Sequence, residues 1–251
     1  MRVFVVLAML AAGLGVACHR AAASDEFLLL RLDGAYVKWG ASRLGTPARV
    51  RYAFISGPMQ FPGAINCDSM VPIGPLLDAS RIERERFHQE VAAAFGLWEA
   101  VAGVRFLESA DTRSADILIG AQASPRGFAF TNVDHDRSSL TPVSAASIQI
   151  RRIQKSLICL NPAKLWKTGF DGNLDIYDIR YTIAHEVGHA IGLDHPSPSG
   201  ELMSFRYTED FRALQPGDVA GAVSLYGEPG TASAEASSKS SAGAGSAIAL
   251  H

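Results

Sequence analysis

The stretch HEVGHAIGLDH, residues 185–195, places three histidines, one glutamate and one glycine in a fixed spacing. On a helix, His185 and His189 lie one turn apart on the same face, so their imidazoles can share one cation. Glu186 points about 100° away around the helix. It cannot be an equivalent ligand, but it can reach a water molecule held on that cation. The spacing therefore predicts a metal centre with Glu186 as its general base.

The glycine explains how a third histidine reaches the same ion. The helical pattern ends at Ile191, and Gly192 can adopt a positive φ that turns the chain back sharply. His195 can then approach the metal from another direction. Imidazole suits zinc, and three protein ligands leave a fourth position open for water, which is typical of catalytic zinc. The stretch predicts one catalytic Zn²⁺ held by His185, His189 and His195.

The stretch matches the HExxHxxGxxH motif of the metzincin metallopeptidases, and the chain most resembles their matrixin (matrix-metalloprotease-like) branch. VKWG, AFGLWEAVAGVRFLE, ADILIG and LQPGDVAGAVSLYG follow in the order that this branch shows. The resemblance implies an α+β fold, an α/β sandwich with a twisted, mixed five-stranded sheet, a long active-site helix, a Met-turn and a C-terminal helix. It also implies a zinc metalloendopeptidase that acts on protein or peptide substrates.

The resemblance also implies roles for residues around the motif. Met203 would form the Met-turn, an apolar floor beneath the zinc ligands. Tyr207 would help to wall the pocket for the substrate side chain beyond the scissile bond. An extended substrate would pair with an exposed edge strand, as many peptides do. The residues of that edge strand would be Gly127, Phe128, Ala129 and Phe130.

The chain departs from the matrixin pattern at a second, structural zinc ion. That site needs three further histidines and an aspartate. Cys159 stands roughly where one of its ligands is expected, so we expect a single zinc ion. Outside the motif the chain has only His19, His88, His135 and His251.

A calcium site is a separate hypothesis. The segment DGNLD spaces the oxygens of Asp171, Asn173 and Asp175 as a calcium loop does. The same residue types are common in loops and at helix N-caps, and the full calcium-loop pattern is absent. The sequence leaves both interpretations open.

The amino-terminal residues indicate export. The apolar run from Val3 to Ala17 carries no charge and is too short to span a bilayer comfortably. Small residues follow, which is typical of a secretory signal peptide cleaved after Ala23. We expect a periplasmic or extracellular monomer without a membrane span, and the alternative is a lipid anchor at Cys18. A net charge of −2 excludes the strongly basic profile of a nucleic-acid binder.

These observations divide the chain into four parts: a signal peptide (1–23), a short N-terminal segment (24–36), the metallopeptidase domain (37–228) and a disordered tail rich in Ala, Ser and Gly (229–251). Two cysteines, Cys67 and Cys159, remain after cleavage. An even count outside the cytosol favours one disulfide. The alternatives are two free thiols, or a Cys67 thiolate that caps the metal as a latency switch.

Local patterns predict the secondary structure. ARVRYAFIS (48–56) alternates as a half-buried strand. Ser80 and Glu83 have capping-box spacing at the start of a long amphipathic helix. Asp175 or Asp178 would cap the motif helix, and a last helix would begin at the Pro216–Asp218 turn. GVRFLE, ADILIGA, RGFAFTNV and SIQI/SLICLN predict four or five further strands.

Two other functions fit the same residues. The first is a zinc hydrolase of a non-protein amide, such as a cell-wall peptide, because the chemistry is identical and only the cleft differs. The second is a catalytically silent binding module on the same scaffold. The intact Glu186 argues against a metal-free descendant.

Overall fold

The computed structural model describes residues 27–138, 149–197 and 199–230. The predicted signal peptide, Cys18 and residues 231–251 of the predicted tail lie outside the described residues. The helices are α1 (Gly74–Ser80), α2 (Arg84–Val101), α3 (Ile179–Ile191) and α4 (Pro216–Tyr226). The strands are β1 (Leu28–Leu29), β2 (Arg31–Leu32), β3 (Ala35–Lys38), β4 (Ala48–Phe54), β5 (Met59–Gln60), β6 (Ser69–Val71), β7 (Val104–Glu108), β8 (Ile117–Gln122), β9 (Ala129–His135), β10 (Ile150–Leu160), β11 (Trp166–Lys167), β12 (Tyr177–Asp178) and β13 (Leu193–Asp194).

The five longest strands form the centre of a mixed sheet in the order β9-β10-β8-β4-β7. Strands β10, β8, β4 and β7 are parallel to one another, and β9 runs antiparallel along β10. The predicted α+β fold with a mixed sheet is confirmed. Within the described ranges, the short strands β2, β3, β5 and β6 extend this sheet to nine strands.

One of the local sequence predictions was wrong. Ser80 does not open the long helix, because the preceding residues form α1 and Arg81 ends that helix in a left-handed conformation with φ 55°. The Ser80 hydroxyl instead accepts a hydrogen bond from the backbone N–H of Trp166 at 3.1 Å. Ile150 of SIQI and residues 156–160 of SLICLN lie on one strand, β10, so these two segments contribute a single strand. The pairing of β10 with β9 shifts register between Ile153 and Lys155.

The sheet has a hydrophobic core on each face because successive strand residues point to opposite sides. The main core lies between the sheet and the helices, and it includes Ile117 and Ile119 of β8. The smaller outer core includes Leu118, from between those two residues. The connection between β4 and α1 contributes Cys67 to this outer core, where it forms a disulfide with Cys159 of β10.

Residues 27–36 pack against the rest of the domain. Strand β1 pairs antiparallel with β13, with Leu28 opposite Asp194. Strands β2 and β3 form a hairpin through Asp33 and Gly34, which both have positive φ, as tight hairpin turns require. The N-terminal segment therefore lies against the chain that leads to His195.

We predict that replacing both cysteines, Cys67→Ser with Cys159→Ser, lowers the free energy of unfolding by about 2–4 kcal/mol. The bond links residues 92 positions apart, so its loss frees a large loop in the unfolded chain. Urea unfolding followed by tryptophan fluorescence measures the change. A reducing agent should destabilise the wild type and leave the double variant unaffected, and equal stabilities of the two proteins without reductant would contradict the prediction.

Candidate metal centre

The structure brings the three histidines of the motif together. Helix α3 supplies His185 and His189, and the chain after β13 supplies His195. The His185 Nε2 lies 3.0 Å from His195 Nε2 and 3.1 Å from His189 Nε2, and His189 Nε2 lies 3.1 Å from His195 Nε2. In the described part of the chain, this is the single cluster of three or more His, Cys, Asp or Glu side chains suited to a metal ion.

The donor set fits a zinc ion. Tetrahedral zinc with Zn–N bonds of ~2.05 Å has ligand nitrogens about 3.4 Å apart, which is close to the separations in the structure. The His185 Nδ1 donates a hydrogen bond to the Leu202 carbonyl at 2.8 Å, and the His189 Nδ1 donates to the Leu193 carbonyl at 2.9 Å. These bonds place the protons on Nδ1 and leave both Nε2 lone pairs free for a metal.

The surroundings keep the imidazoles neutral, as metal ligands must be. Burial lowers the pKa of His185 well below its usual value, and the neighbouring His189 adds to this effect. Burial also lowers the pKa of His189 to about 4 and, to a smaller extent, the pKa of the more exposed His195. All three imidazoles are therefore neutral near neutral pH.

The turn between the second and third histidines has the geometry that the sequence predicted. Gly192 ends α3 with φ 109°, and a Cβ there would lie 2.2 Å from the Val37 carbonyl oxygen. Only glycine fits this conformation and this close approach. The Gly192 carbonyl accepts a hydrogen bond from Leu30 N–H at 2.8 Å. The N-terminal segment thus holds the turn that directs His195 to the site.

Side chains from distant segments donate hydrogen bonds to carbonyl groups at the end of α3, which have no partner within the helix. The Trp39 indole N–H donates to the Ala190 carbonyl at 2.8 Å, and the Tyr226 hydroxyl donates to the Ile191 carbonyl at 2.6 Å. Carbonyls at a helix end need such partners when they are buried. At the other end, Asp178 caps α3 by accepting a hydrogen bond from the N–H of Tyr181.

Met203 lies directly beneath the metal-binding helix. A Cβ added to Gly188 would lie 2.1 Å from the Met203 Sδ, so the thioether occupies the space that the glycine leaves. The buried Asp218 carboxylate of α4 accepts hydrogen bonds from the N–H groups of Leu202 and Met203 at 2.8 and 2.9 Å. Because the Leu202 carbonyl also orients His185, helix α4 fixes one of the ligands through this turn.

Glu186 lies on α3, is buried and lines the same cavity as the three histidines. Its Oε2 accepts a hydrogen bond from the Thr131 hydroxyl of β9 at 2.7 Å. Burial raises the pKa of Glu186 to about 7, and the hydrogen bond from Thr131 opposes this rise. A carboxylate with this pKa can accept a proton near neutral pH.

A cavity of about 950 Å³ opens beside these groups. Its inner wall contains Glu186 and the three histidines, and its rim is formed by residues 128–135 and 60–66. Leu30, Leu32 and Asp33 of the N-terminal segment also line it. This volume is large enough for several residues of a peptide.

Three of the five residues predicted to contact the substrate line this cavity. Phe128, Ala129 and Phe130 line it, but β9 begins at Ala129, so Gly127 and Phe128 precede the edge strand. Tyr207 is not among the lining residues. Its ring packs against Tyr177 and Tyr181 at centroid distances of 5.2 and 5.1 Å, and its hydroxyl accepts a hydrogen bond from Asp178 N–H.

A lysine side chain, that of Lys167, lies in the predicted calcium loop. The Lys167 ammonium group contacts the carboxylates of Asp171 and Glu209 and donates a 2.8 Å hydrogen bond to the Asn173 carbonyl. Asp171 and Asn173 also accept hydrogen bonds from backbone N–H groups two residues later, as turn residues do. These are the contacts of a turn, and calcium binding at DGNLD stays a prediction from the sequence.

Sequence reasoning missed Thr131, and it missed the contribution of residues 60–66 to the cavity. Thr131 directly follows the predicted edge residues, and the alternation of RGFAFTNV could have placed it on the same face as Ala129. For residues 60–66 the only sequence signal is the adjacent Cys67. The sequence predicts the disulfide partner of Cys67, but it does not predict that residues 60–66 cross the face of the sheet.

Comparisons with known proteins agree with this geometry. The sequence model of the matrixin family matches residues 76–227, more than half of the chain. Metalloendoproteinase 4-MMP of Arabidopsis thaliana is 28% identical over 175 residues, which cover 68% of this chain and 46% of that protein. Stromelysin-3 of Rattus norvegicus is 29% identical over 150 residues, covering 59% of this chain and 28% of that protein. The chain thus spans less than half the length of these curated relatives.

We predict that Gly188→Ala destabilises the fold by about 1–3 kcal/mol through overpacking, because the new methyl group would displace Met203 and Trp98, whose nearest atom lies 2.9 Å away. It should also weaken zinc binding, measured by competition with a chelator. Gly96→Ala on α2 is the matched control, since nothing lies within 4 Å of its Cβ position. That change should stabilise the protein by up to about 1 kcal/mol. Equal urea unfolding curves for the two variants would contradict the prediction.

Proposed function

We propose that this chain, which belongs to the matrixin family, is a secreted zinc-dependent endopeptidase. The observation that carries the proposal is the triangle of three neutral imidazole nitrogens with the Glu186 carboxylate beside it, at the wall of a peptide-sized cavity. His185, His189 and His195 would hold the zinc ion. When bound there, zinc supplies Lewis acidity, which polarises a carbonyl group and makes a water molecule easier to deprotonate.

Glu186 is the proton carrier of the proposed reaction. Its carboxylate would accept the proton of the attacking water and later donate it to the leaving nitrogen of the cleaved peptide bond. The hydrogen bond from Thr131 restricts the carboxylate to one orientation. Since Thr131 belongs to β9, this bond also fixes the distance between the proton carrier and the strand along which the substrate would lie.

The substrate would be an extended peptide that pairs with β9. Among the described residues, β10 is the one strand that pairs with β9, so the other edge of β9 is open towards the cavity. An extended peptide can add to such an edge through main-chain hydrogen bonds. Residues of β9 and residues 60–66 line the cavity besides the metal ligands, so it offers space for the residues next to the cleaved bond.

The proposed location is outside the cytosol. The signal-like residues 1–23 support export, and the disulfide between Cys67 and Cys159 is typical of an oxidising compartment. Within the described ranges, no helix combines the length and hydrophobicity needed to cross a bilayer. The lipid anchor at Cys18 and the monomeric state stay predictions from the sequence.

We predict that Glu186→Gln lowers the rate of peptide cleavage by roughly 10²–10⁴-fold while zinc stays bound at one ion per chain. The amide keeps the shape of the carboxylate but cannot accept the proton. The measurement is digestion of a proteome-derived peptide library by zinc-loaded wild type and variant, with the cleavage products identified by mass spectrometry. Glu85→Gln, at an exposed position of α2, is the matched control and should cleave at the wild-type rate.

The other outcomes of this digestion identify the other functions. Hydrolysis of cell-wall peptide fragments, without cleavage of the proteome-derived peptides, would show that the chain is a zinc hydrolase of non-protein substrates. Zinc-loaded wild type that cleaves neither substrate in a chelator-sensitive manner would be a silent binding module. Full activity of Glu186→Gln would contradict the proposed role of the carboxylate.

A further inference from the structure

Strand β9 has two chemically different faces along its open edge. Asn161 N–H donates to the Phe128 carbonyl at 2.8 Å, so the main chain of Phe128 points towards β10. Because main-chain groups alternate along a strand, those of Ala129, Thr131 and Val133 point to the open edge. Side chains alternate as well. The Thr131 side chain contacts Glu186 on the inner face, and the side chain of Asn132 therefore lies on the outer face.

The residues Phe61–Asn66, here called the outer wall, cover this outer face beside the cavity. The Asn132 Oδ1 accepts hydrogen bonds from the backbone N–H groups of Ile65 and Asn66 at 3.1 and 3.4 Å. The next residue, Cys67, is joined to Cys159 on β10. The outer wall is therefore fixed to β9 by hydrogen bonds and to β10 by a covalent bond.

The side chains of the outer wall are mostly apolar. Phe61, Pro62, Ala64 and Ile65 all line the cavity. Ile65 is 80% exposed, the highest exposure among the large apolar side chains that the structure describes. A side chain held at the rim of a cavity on a doubly anchored segment can lose this exposure when a ligand binds.

We propose that the outer wall determines the sequence preference of the enzyme by selecting peptides with an apolar side chain at one position. A peptide paired with the open edge of β9 points alternate side chains inward, towards the metal ligands, and outward. The side chain that points outward beside Asn132 meets Ile65 and its neighbours, and burying apolar surface there favours Leu, Ile or Phe over a charged residue. This proposal rests on the proposed function of the same cleft.

The first experiment measures binding without cleavage. The probes are pairs of fluorescent peptides of one sequence, each pair differing at a single position, Leu against Lys, with every position varied in turn. They are titrated onto zinc-loaded Glu186→Gln and onto the same protein with Ile65→Glu. We expect Ile65→Glu to weaken binding of the Leu peptide about tenfold and to strengthen binding of the Lys peptide. An unchanged Leu-to-Lys affinity ratio overturns the proposal.

Matched variants separate a change in peptide recognition from a general loss of the folded structure. Ile65→Val should keep the wild-type preference. Asn132→Ala removes the acceptor for both N–H groups and should weaken the Leu preference, whereas Asn132→Asp keeps an acceptor oxygen and should retain most of it. The same order is expected in cleavage assays as a change in KM at nearly constant kcat. Loss of preference in Ile65→Val, or equal effects of the two Asn132 changes, would contradict the role of the outer wall.

The binding and cleavage results distinguish the two proposals. If Glu186→Gln binds the Leu peptide more tightly than the Lys peptide and wild type cleaves neither, the outer wall proposal is supported. The proposed endopeptidase function is then contradicted. If wild type cleaves peptides with equal efficiency for Leu and Lys at every position, the function stands and the outer wall proposal fails. If neither peptide binds or is cleaved, both fail.

Discussion

Three unprotonated imidazole nitrogens, held 3.0–3.1 Å apart, point their lone pairs at one another and repel unless a cation lies among them. This convergence is the constraint on which the rest of the site depends. Two of the rings are held by backbone carbonyls that bind their Nδ1 protons. The third is directed by a glycine turn whose carbonyl is bound by the N-terminal segment. A chain that holds such a cluster at the wall of a cavity is suited to binding a metal ion.

The same contacts connect the metal ligands to the substrate cleft. Helix α4 holds the turn at Met203 through Asp218, and this turn orients His185. On the opposite side, Thr131 connects the Glu186 carboxylate to β9, and Asn132 connects β9 to the outer wall. A single strand thus positions the proton carrier, the proposed substrate backbone and the proposed selectivity segment. Consequently, a displacement of the β9 backbone would alter catalysis and recognition together.

The parts that the sequence predicted depend on local rules. Helical spacing placed His185 beside His189, the demand for positive φ identified Gly192, and the last helix begins where the Pro216–Asp218 turn was predicted. The parts that it missed depend on contacts between distant segments. The ring contacts of Tyr207 with Tyr177 and Tyr181 are one example. The hydrogen bonds from the fully buried Lys38 to the carbonyls of Trp39 and Ala41 are another. Residue spacing carries no information about such partners.

The most direct test of the account is X-ray absorption spectroscopy at the zinc edge, on protein purified under zinc-replete conditions. The account predicts one zinc ion per chain with three imidazole nitrogens in its first shell, and two imidazole nitrogens after His195→Ala. Protein that folds and purifies without stoichiometric zinc would contradict the account, as would a zinc shell unchanged by His195→Ala.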